Sequence, residues 1–137
     1  MKKINQAMIY GILLMSIVIV ISGCKKKTET VTYPTVSFIV TYLTVQLQAG
    51  GEGVQFYANC NSTDVKMTKV EILDPIHSGT VTYNLNGQGY VKSQIFDLQD
   101  AGTAYQKQGG TYQITFTGLR TVDNAPFTVI SNVSVAK

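Results

Sequence analysis

The sequence predicts an all-β domain of about seven or eight antiparallel strands, preceded by an N-terminal leader. After residue 34, no stretch has the i, i+3, i+4, i+7 spacing of apolar residues that marks an amphipathic helix. The chain is instead rich in Val, Ile, Thr and Tyr, which pack well on a pleated sheet. Clusters of Gly and Asn interrupt it about every 8 to 14 residues, as turns do in sandwiches and small barrels. The spacing leaves the open sandwich and the closed barrel as alternatives.

Residues 1–23 have the composition of a secretory signal peptide, which would form a short helix before cleavage. Lys2 and Lys3 supply the positive start, and Ala7–Ile21 is an apolar run without charge. That run is shorter than the roughly 20 apolar residues that span a membrane comfortably. An uncleaved transmembrane anchor is the alternative, and the residues that end the run argue against it.

Ile21-Ser22-Gly23-Cys24 resembles the lipobox of bacterial lipoproteins, in which an aliphatic residue and two small residues precede a cysteine. The resemblance implies that a peptidase cuts before Cys24, whose thiol takes diacylglycerol and whose new amino terminus is acylated. One acyl chain anchors a protein only marginally, whereas two or three do so stably. Lys25 stands where enteric lipoproteins carry aspartate for inner-membrane retention, so the resemblance favours the outer membrane, on its periplasmic or surface face.

The mature chain is predicted to comprise the lipidated Cys24 with a tether, residues 24–34, and one domain, residues 35–137. Lys25, Lys26 and Lys27 are expected to lie against anionic headgroups, at roughly 1 kcal/mol each near the surface. From Thr28 onward, six Lys and Arg stand against eight Asp and Glu, a balance of about −2. The domain therefore lacks the clustered positive charge that nucleic acid binding requires.

Alternating apolar residues predict four strands in the first half of the domain, which are Thr35–Val40, Tyr42–Leu47, Val54–Cys60 and Val65–Leu73. The second strand is expected to place Leu43, Val45 and Leu47 on one face. The third strand is expected to point the side chains of Val54, Phe56, Ala58 and Cys60 toward the core. In the fourth, the apolar phase shifts between Met67 and Val70, which predicts a β-bulge.

Four more strands are predicted in the second half, over residues 81–85, 90–98, 112–116 and 127–135. Asn86-Gly87 lies between the first two of these. Both residues tolerate positive φ, so the pair predicts a type I′ hairpin turn. Tyr112, Ile114 and Phe116 are expected to share the inner face of their strand.

Two stretches resemble strands of immunoglobulin domains. Gly110-Thr111-Tyr112-Gln113-Ile114 resembles the Gly-x-Tyr-x-Cys stretch that opens strand F, with Tyr112 as the tyrosine-corner residue. Val54–Cys60 resembles strand B, which ends in the first cysteine of that family. Ile114 stands in place of the second cysteine and the chain has no Trp, so the inter-sheet disulfide and the strand C tryptophan are missing. The resemblance implies an immunoglobulin-like antiparallel β-sandwich and no particular function.

Few residues could support catalysis. His77 is the single histidine and lies in a predicted turn, where solvation is the expected state. Cys60 is expected to be a small buried hydrophobe rather than a nucleophile, and with Cys24 lipidated it has no disulfide partner. Asp97 and Asp100 could bind calcium in a loop or serve a hydrolase, although solvated turn residues are the favoured explanation for both. We predict no catalytic set, no metal site and no cofactor.

Tyr57, Tyr90 and Tyr105 are the candidate ligand-binding residues, because they lie off the predicted core phase or near turns. Their rings could stack on sugars, although core and cross-strand packing is the commoner use of such residues. The sequence thus predicts a membrane-anchored, non-catalytic binding or structural module of the cell envelope with a protein or glycan partner. A carbohydrate-binding accessory lipoprotein is the alternative, and a hydrolase is a third hypothesis.

Overall fold

The computed structural model describes residues 30–99 and 104–137. The predictions about the signal peptide, Cys24 and Asp100 fall outside these residues. From Tyr33 onward the chain forms one compact unit. Its eight strands are β1 (Phe38–Gln46), β2 (Glu52–Cys60), β3 (Val65–Leu73), β4 (Thr80–Tyr90), β5 (Phe96–Asp97), β6 (Tyr105–Gln106), β7 (Gly110–Arg120) and β8 (Pro126–Val135).

The strands form two antiparallel sheets, which confirms the predicted all-β sandwich. The first sheet has the order β1-β2-β5, and β6 pairs with β2 beside β5. The second sheet has the order β4-β3-β7-β8. The inner faces of both sheets contribute to a single apolar core.

The core is centred on β2 and β7, whose alternate side chains point inward as predicted. On β2 these are Val54, Phe56, Ala58 and Cys60, and on β7 they are Tyr112, Ile114 and Phe116, all of them buried. The ring of Phe56 meets that of Tyr112 at a centroid distance of 4.9 Å. Phe38 of β1 stacks on Phe116 at 4.1 Å. These contacts across the two sheets bury the largest side chains of the domain, which is the dominant stabilising contribution.

The predicted bulge in β3 is confirmed, because the pairing register shifts between Met67 and Lys69 on both sides of the strand. The predicted hairpin at Asn86-Gly87 is wrong. Both residues do have positive φ, 50° and 80°, but they lie inside β4, which continues without reversing. Between the pairs Met67–Gln88 and Lys69–Asn84, three residues of β4 oppose the single residue Thr68. Asn86 and Gly87 therefore form an irregular bulge instead of a turn.

Two other predictions about strands are wrong. Residues 35–47 contain one continuous strand, β1, which begins at Phe38 and pairs with β2 without a register shift. Because the alternation continues unbroken from Val36, Tyr42 turns toward the core and Leu43 is 58% exposed. In the predicted strand 90–98, only Phe96 and Asp97 are extended and paired, while Tyr90 ends β4.

The hydroxyl of Tyr112 is hydrogen-bonded to the backbone just upstream of β7. The backbone N–H of Gln108 donates to the Tyr112 hydroxyl at 3.3 Å, four residues upstream along the chain. Tyr112 is only 1% exposed, so its hydroxyl needs a partner inside the protein. The contact ties the segment before β7 to the core.

Candidate functional site

The two ends of the sandwich differ in what they hold. The proximal end is the one at which the chain enters at Tyr33, and it carries the turns that follow β2, β4 and β7. The distal end carries the β1–β2 hairpin, the β3–β4 loop and the segment between β6 and β7. A cleft lined by residues of both sheets lies at the distal end, and a compact ion-pair cluster lies at the proximal end.

Arg120 organises the proximal end. Its guanidinium forms two bonds with the Asp123 carboxylate, Nε to Oδ1 at 3.1 Å and Nη2 to Oδ2 at 2.6 Å. A third bond runs from Nη1 to the Pro34 carbonyl at 3.0 Å, and the Tyr33 ring lies 5.5 Å from the guanidinium carbon. Burial opposes ionisation of Asp123, but the hydrogen bonds from Arg120 and the Ala125 N–H, together with the positive charge of Arg120, outweigh it and lower the pKa of that carboxyl. The cluster fastens the first residues of the sandwich to the β7–β8 turn.

A cleft of about 330 Å³ opens at the distal end between the β3–β4 loop and the β6–β7 segment. The buried side chains of Ile72 and Tyr112 form its floor. Polar side chains converge around it from both sheets, namely Asp74, Ser78, Tyr105, Gln106 and Gln108. An apolar floor with a few convergent polar groups is the usual form of a small-ligand site.

Asp74 holds the β3–β4 loop in shape. Its carboxylate accepts hydrogen bonds from the Ser78 hydroxyl and from the Ser78 N–H, the latter at 2.9 Å. Its carbonyl accepts the N–H of His77, which has a left-handed φ of 54°. The Ser78 hydroxyl is the main reason that the pKa of Asp74 lies below its usual value of 3.8. The cleft therefore carries a negative charge at its rim at neutral pH.

Tyr105 stands on the opposite wall of the cleft. Its hydroxyl and that of Tyr83 are 3.1 Å apart, which joins β6 of one sheet to β4 of the other. Burial, followed by the hydrogen bond with Tyr83, raises the pKa of Tyr105 far above its usual value of 10. Its ring packs against Phe56 at a centroid distance of 6.4 Å. Tyr105 is thus fixed in orientation and neutral.

Gln108 lies deeper in the same cleft. Its side-chain Oε1 is buried and has no hydrogen-bond partner among the described residues. The pKa of the neighbouring Tyr112 is raised by burial, so its hydroxyl is neutral and accepts only the Gln108 backbone N–H. A buried carbonyl oxygen without a partner is costly to the fold.

The three candidate tyrosines do not converge. Tyr105 lies in the distal cleft, whereas Tyr57 lies on the outer face of the first sheet beside Thr41 and Asp97. Tyr90 is 7% exposed and stacks on Phe96 at 4.1 Å, so its ring is part of the core and is not accessible to a ligand. Only Tyr105 is in a position to combine with convergent polar groups.

The other residues singled out by sequence also have defined places. Cys60 is fully buried, as expected, with its sulfur 3.4 Å from the Ser62 hydroxyl. His77 is exposed at the tip of the β3–β4 loop. Asp97 is exposed on β5, where it accepts hydrogen bonds from the side chain of Gln55 and the backbone N–H of Gln99. These contacts give Asp97 a structural role in the β2–β5 pairing.

Two important residues were not found by sequence reasoning. Arg120 was counted only as a charge, and Gln99 was not considered at all. Gln99 is buried, and its side-chain amide bonds to the backbone of β2. A lone Arg or Gln carries no periodic signal, so only the tertiary contacts identify such residues.

Within residues 30–99 and 104–137, no helix has the length and apolar character needed to cross a membrane. In the same part of the chain, no three His, Cys, Asp or Glu residues come together in a way that would hold a metal ion. No protein-family model, curated protein or solved structure matches the chain.

Proposed function

We propose that the protein is a lipid-anchored lipoprotein of the bacterial envelope, in the outer membrane, whose sandwich is a non-catalytic binding or structural module. The observation that carries this proposal is the run Ile21-Ser22-Gly23-Cys24 at the end of an uncharged apolar segment. The sandwich unit begins at Tyr33, soon after that run.

The short tether limits what the module can reach. Eight residues lie between Cys24 and Tyr33, and the extended chain from one to the other spans at most about 30 Å. The Arg120 cluster holds Pro34 and Tyr33, so a pull on the tether acts first on that cluster. A partner would accordingly be met close to the membrane surface.

We also propose that the sandwich is of the immunoglobulin-like type. The order β1-β2-β5 in one sheet and β4-β3-β7-β8 in the other corresponds to the A-B-E and C′-C-F-G order of such domains. The hydrogen bond from the Gln108 N–H to Tyr112 supports the same assignment. Ile114 and Cys60 are both fully buried, so apolar packing fills the place of the inter-sheet disulfide.

The mass of the membrane-extracted protein tests the anchor. We expect wild type to have the mass of residues 24–137 plus acyl chains, and the Cys24→Ala variant to lack the acyl chains because the acceptor thiol is gone. A Ser22→Thr variant serves as a control, because it changes a lipobox residue while leaving the thiol in place. An unacylated wild type that retains residues 1–23 would contradict the proposal and indicate a transmembrane anchor.

Carbohydrate binding is the second candidate function, and the distal cleft favours it. The cleft combines the fixed ring of Tyr105, the Asp74 carboxylate and the side chains of Gln106 and Ser78 around an apolar floor. Sugars offer hydroxyl groups to such polar side chains and apolar ring faces to aromatic rings. The cleft lies at the end of the sandwich opposite the one at which the chain enters.

A glycan array followed by calorimetry on the best ligand tests this function. We expect Tyr105→Ala to weaken binding by about tenfold, since an aromatic contact contributes on the order of 1 kcal/mol. Tyr57→Ala, on the outer sheet face, should leave the affinity unchanged. Absence of any glycan binding removes this candidate, and loss of binding in Tyr57→Ala but not in Tyr105→Ala would move the site to the outer face.

A further inference from the structure

Strand β1 has a free hydrogen-bonding edge. It pairs with β2 on one side, and no strand among the described residues pairs with the other. The bonds from Asn61 N–H to the Ser37 carbonyl and from Leu47 N–H to the Gly51 carbonyl show that odd-numbered residues of β1 bond to β2. In an antiparallel pair the bonding direction alternates. The groups that face outward therefore belong to Phe38, Val40, Tyr42, Thr44 and Gln46.

This edge lacks the usual features that prevent strand addition. It is nine residues long and contains no Pro, Lys, Arg, Asp or Glu. Exposed edges are normally interrupted by charge, proline or bulges, or covered by other segments. Two of the other edges of this sandwich show such features, whereas β8 is an uncharged edge interrupted only by Pro126 at its start. The free side of β2 is covered by β5, β6 and the Gln99 side chain, and β4 is bulged at Asn86-Gly87.

We propose that β1 is a homodimer interface, at which β1 of a second copy of this chain pairs antiparallel about a two-fold axis at Tyr42. The five outward residues are spaced evenly around Tyr42, so Tyr42 pairs with itself, Val40 with Thr44 and Phe38 with Gln46. Each of the five pairs exchanges two backbone bonds, roughly ten in all. The first sheets of the two copies then join into one continuous sheet.

The side chains on the outer face favour a second copy as the occupant. Ile39 and Leu43 are 49% and 58% exposed. In the proposed register Ile39 lies opposite Val45 of the other copy, and Leu43 lies opposite Thr41. Pairing therefore covers two apolar side chains from each copy, and it brings no charge to either strand. The neighbouring edge strand, β8, also contains no charged residue, so no like charges meet where the second sheets approach each other.

Cross-linking in membranes tests the register on the full chain. Thr41→Cys in one tagged copy and Leu43→Cys in another stand directly opposite in the proposed dimer, at a Cα separation of about 4.5 Å that a disulfide can bridge. Cys60 is fully buried and does not compete. We expect this pair to cross-link under mild oxidation and Thr41→Cys with itself not to do so, with the bond located by mass spectrometry. Absence of the heterologous cross-link, or equal cross-linking of both pairs, would overturn the proposal.

A proline substitution tests the backbone contact. The Thr44 N–H faces the free edge, so Thr44→Pro removes one bond from each copy of the dimer, two in all, and none of those to β2. We expect it to weaken self-association of the detergent-extracted protein by about tenfold or more, measured by sedimentation. The matched control is Thr128→Pro on β8. The Arg120 N–H donates to the Ala125 carbonyl, so the odd-numbered residues of β8 bond to β7. The N–H of Thr128 therefore also points away from its sheet.

The outcomes of this second experiment separate the two edges. Loss of association in Thr44→Pro with retention in Thr128→Pro supports pairing through β1. A wild type that sediments as a monomer, or association lost only in Thr128→Pro, overturns it. If Thr44→Pro fails to fold, as judged by circular dichroism, the cross-linking of the two cysteine variants still decides the question.

Discussion

Replacing Phe56 with alanine is expected to lower the free energy of unfolding by about 3 to 5 kcal/mol, the range found when buried aromatic residues are truncated. Phe56 is fully buried at the middle of β2. Its ring contacts the rings of Tyr42, Tyr105 and Tyr112. The variant loses these contacts and leaves a cavity that the two sheets cannot close, because their backbones are fixed by strand pairing. Equilibrium denaturation in urea, monitored by circular dichroism, measures the loss.

Val122→Ala is the matched control for this prediction. Val122 is 54% exposed in the β7–β8 turn, so its truncation should change the free energy of unfolding by less than about 0.5 kcal/mol. A Phe56→Ala loss below about 1 kcal/mol would contradict the close-packed interior described above. Phe56→Ala should also weaken the binding of any ligand in the distal cleft, because Phe56 supports the ring of Tyr105.

The strand pattern is the part of the fold that sequence predicts best, since a side-chain period of two is a direct consequence of strand geometry. On β2 and β7 the alternation is unbroken, and every predicted inward residue is buried. The bulge in β3 is also detectable in the sequence, because an extra residue reverses the alternation of apolar and polar residues along the strand. Tyr112 could be singled out because the stretch Gly110–Ile114 resembles the start of strand F in immunoglobulin domains, whereas the partner of its hydroxyl, the Gln108 N–H, is known only from the structure.

The failures arise where a local preference is compatible with two tertiary outcomes. Asn86 and Gly87 adopt the positive φ that their sequence favours. However, β4 pairs with β3 both before and after these two residues, so they form a bulge within the strand instead of a hairpin turn. Tyr42 and Leu43 are adjacent in the chain and both have large apolar groups, so the sequence alone allows either side chain to face the core. The larger ring of Tyr42 packs on Phe56, and this contact sets the phase of β1.

The distal cleft could not be predicted from sequence for a different reason. Its walls come from segments that are distant in the chain, the β3–β4 loop with Asp74 and the β6–β7 segment with Tyr105 and Gln108. None of these residues forms a spaced motif, and only the packing of the two sheets brings them together. The same holds for Arg120, which bonds to Pro34 across 86 positions of the chain.

Replacing Gln99 with leucine is expected to lower the free energy of unfolding by about 1 to 3 kcal/mol, because it leaves the buried N–H of Phe56 without a partner. The Gln99 Oε1 accepts the Phe56 N–H at 2.8 Å, and its Nε2 donates to the Val54 carbonyl at 3.2 Å. The residue is only 4% exposed, so water cannot replace these bonds. Leucine has a similar volume and isolates the loss of hydrogen bonding from that of packing.

The position of Gln99 explains why the effect should be local. On the side of β2 away from β1, β5 pairs with Tyr57 and Ala58, and β6 pairs with Gly53 and Val54. The Gln99 side chain fills the gap between these two short strands, so it serves as the missing part of an edge strand. We expect Gln99→Leu to speed hydrogen exchange at the Phe56 amide while the amides bonded to β1 keep their protection, as measured by NMR. Gln55→Leu, which removes only a bond to the exposed Asp97, is the control and should cost less than about 1 kcal/mol. Unchanged protection at Phe56 in the Gln99→Leu variant would show that the gap in the edge is closed by something other than this side chain.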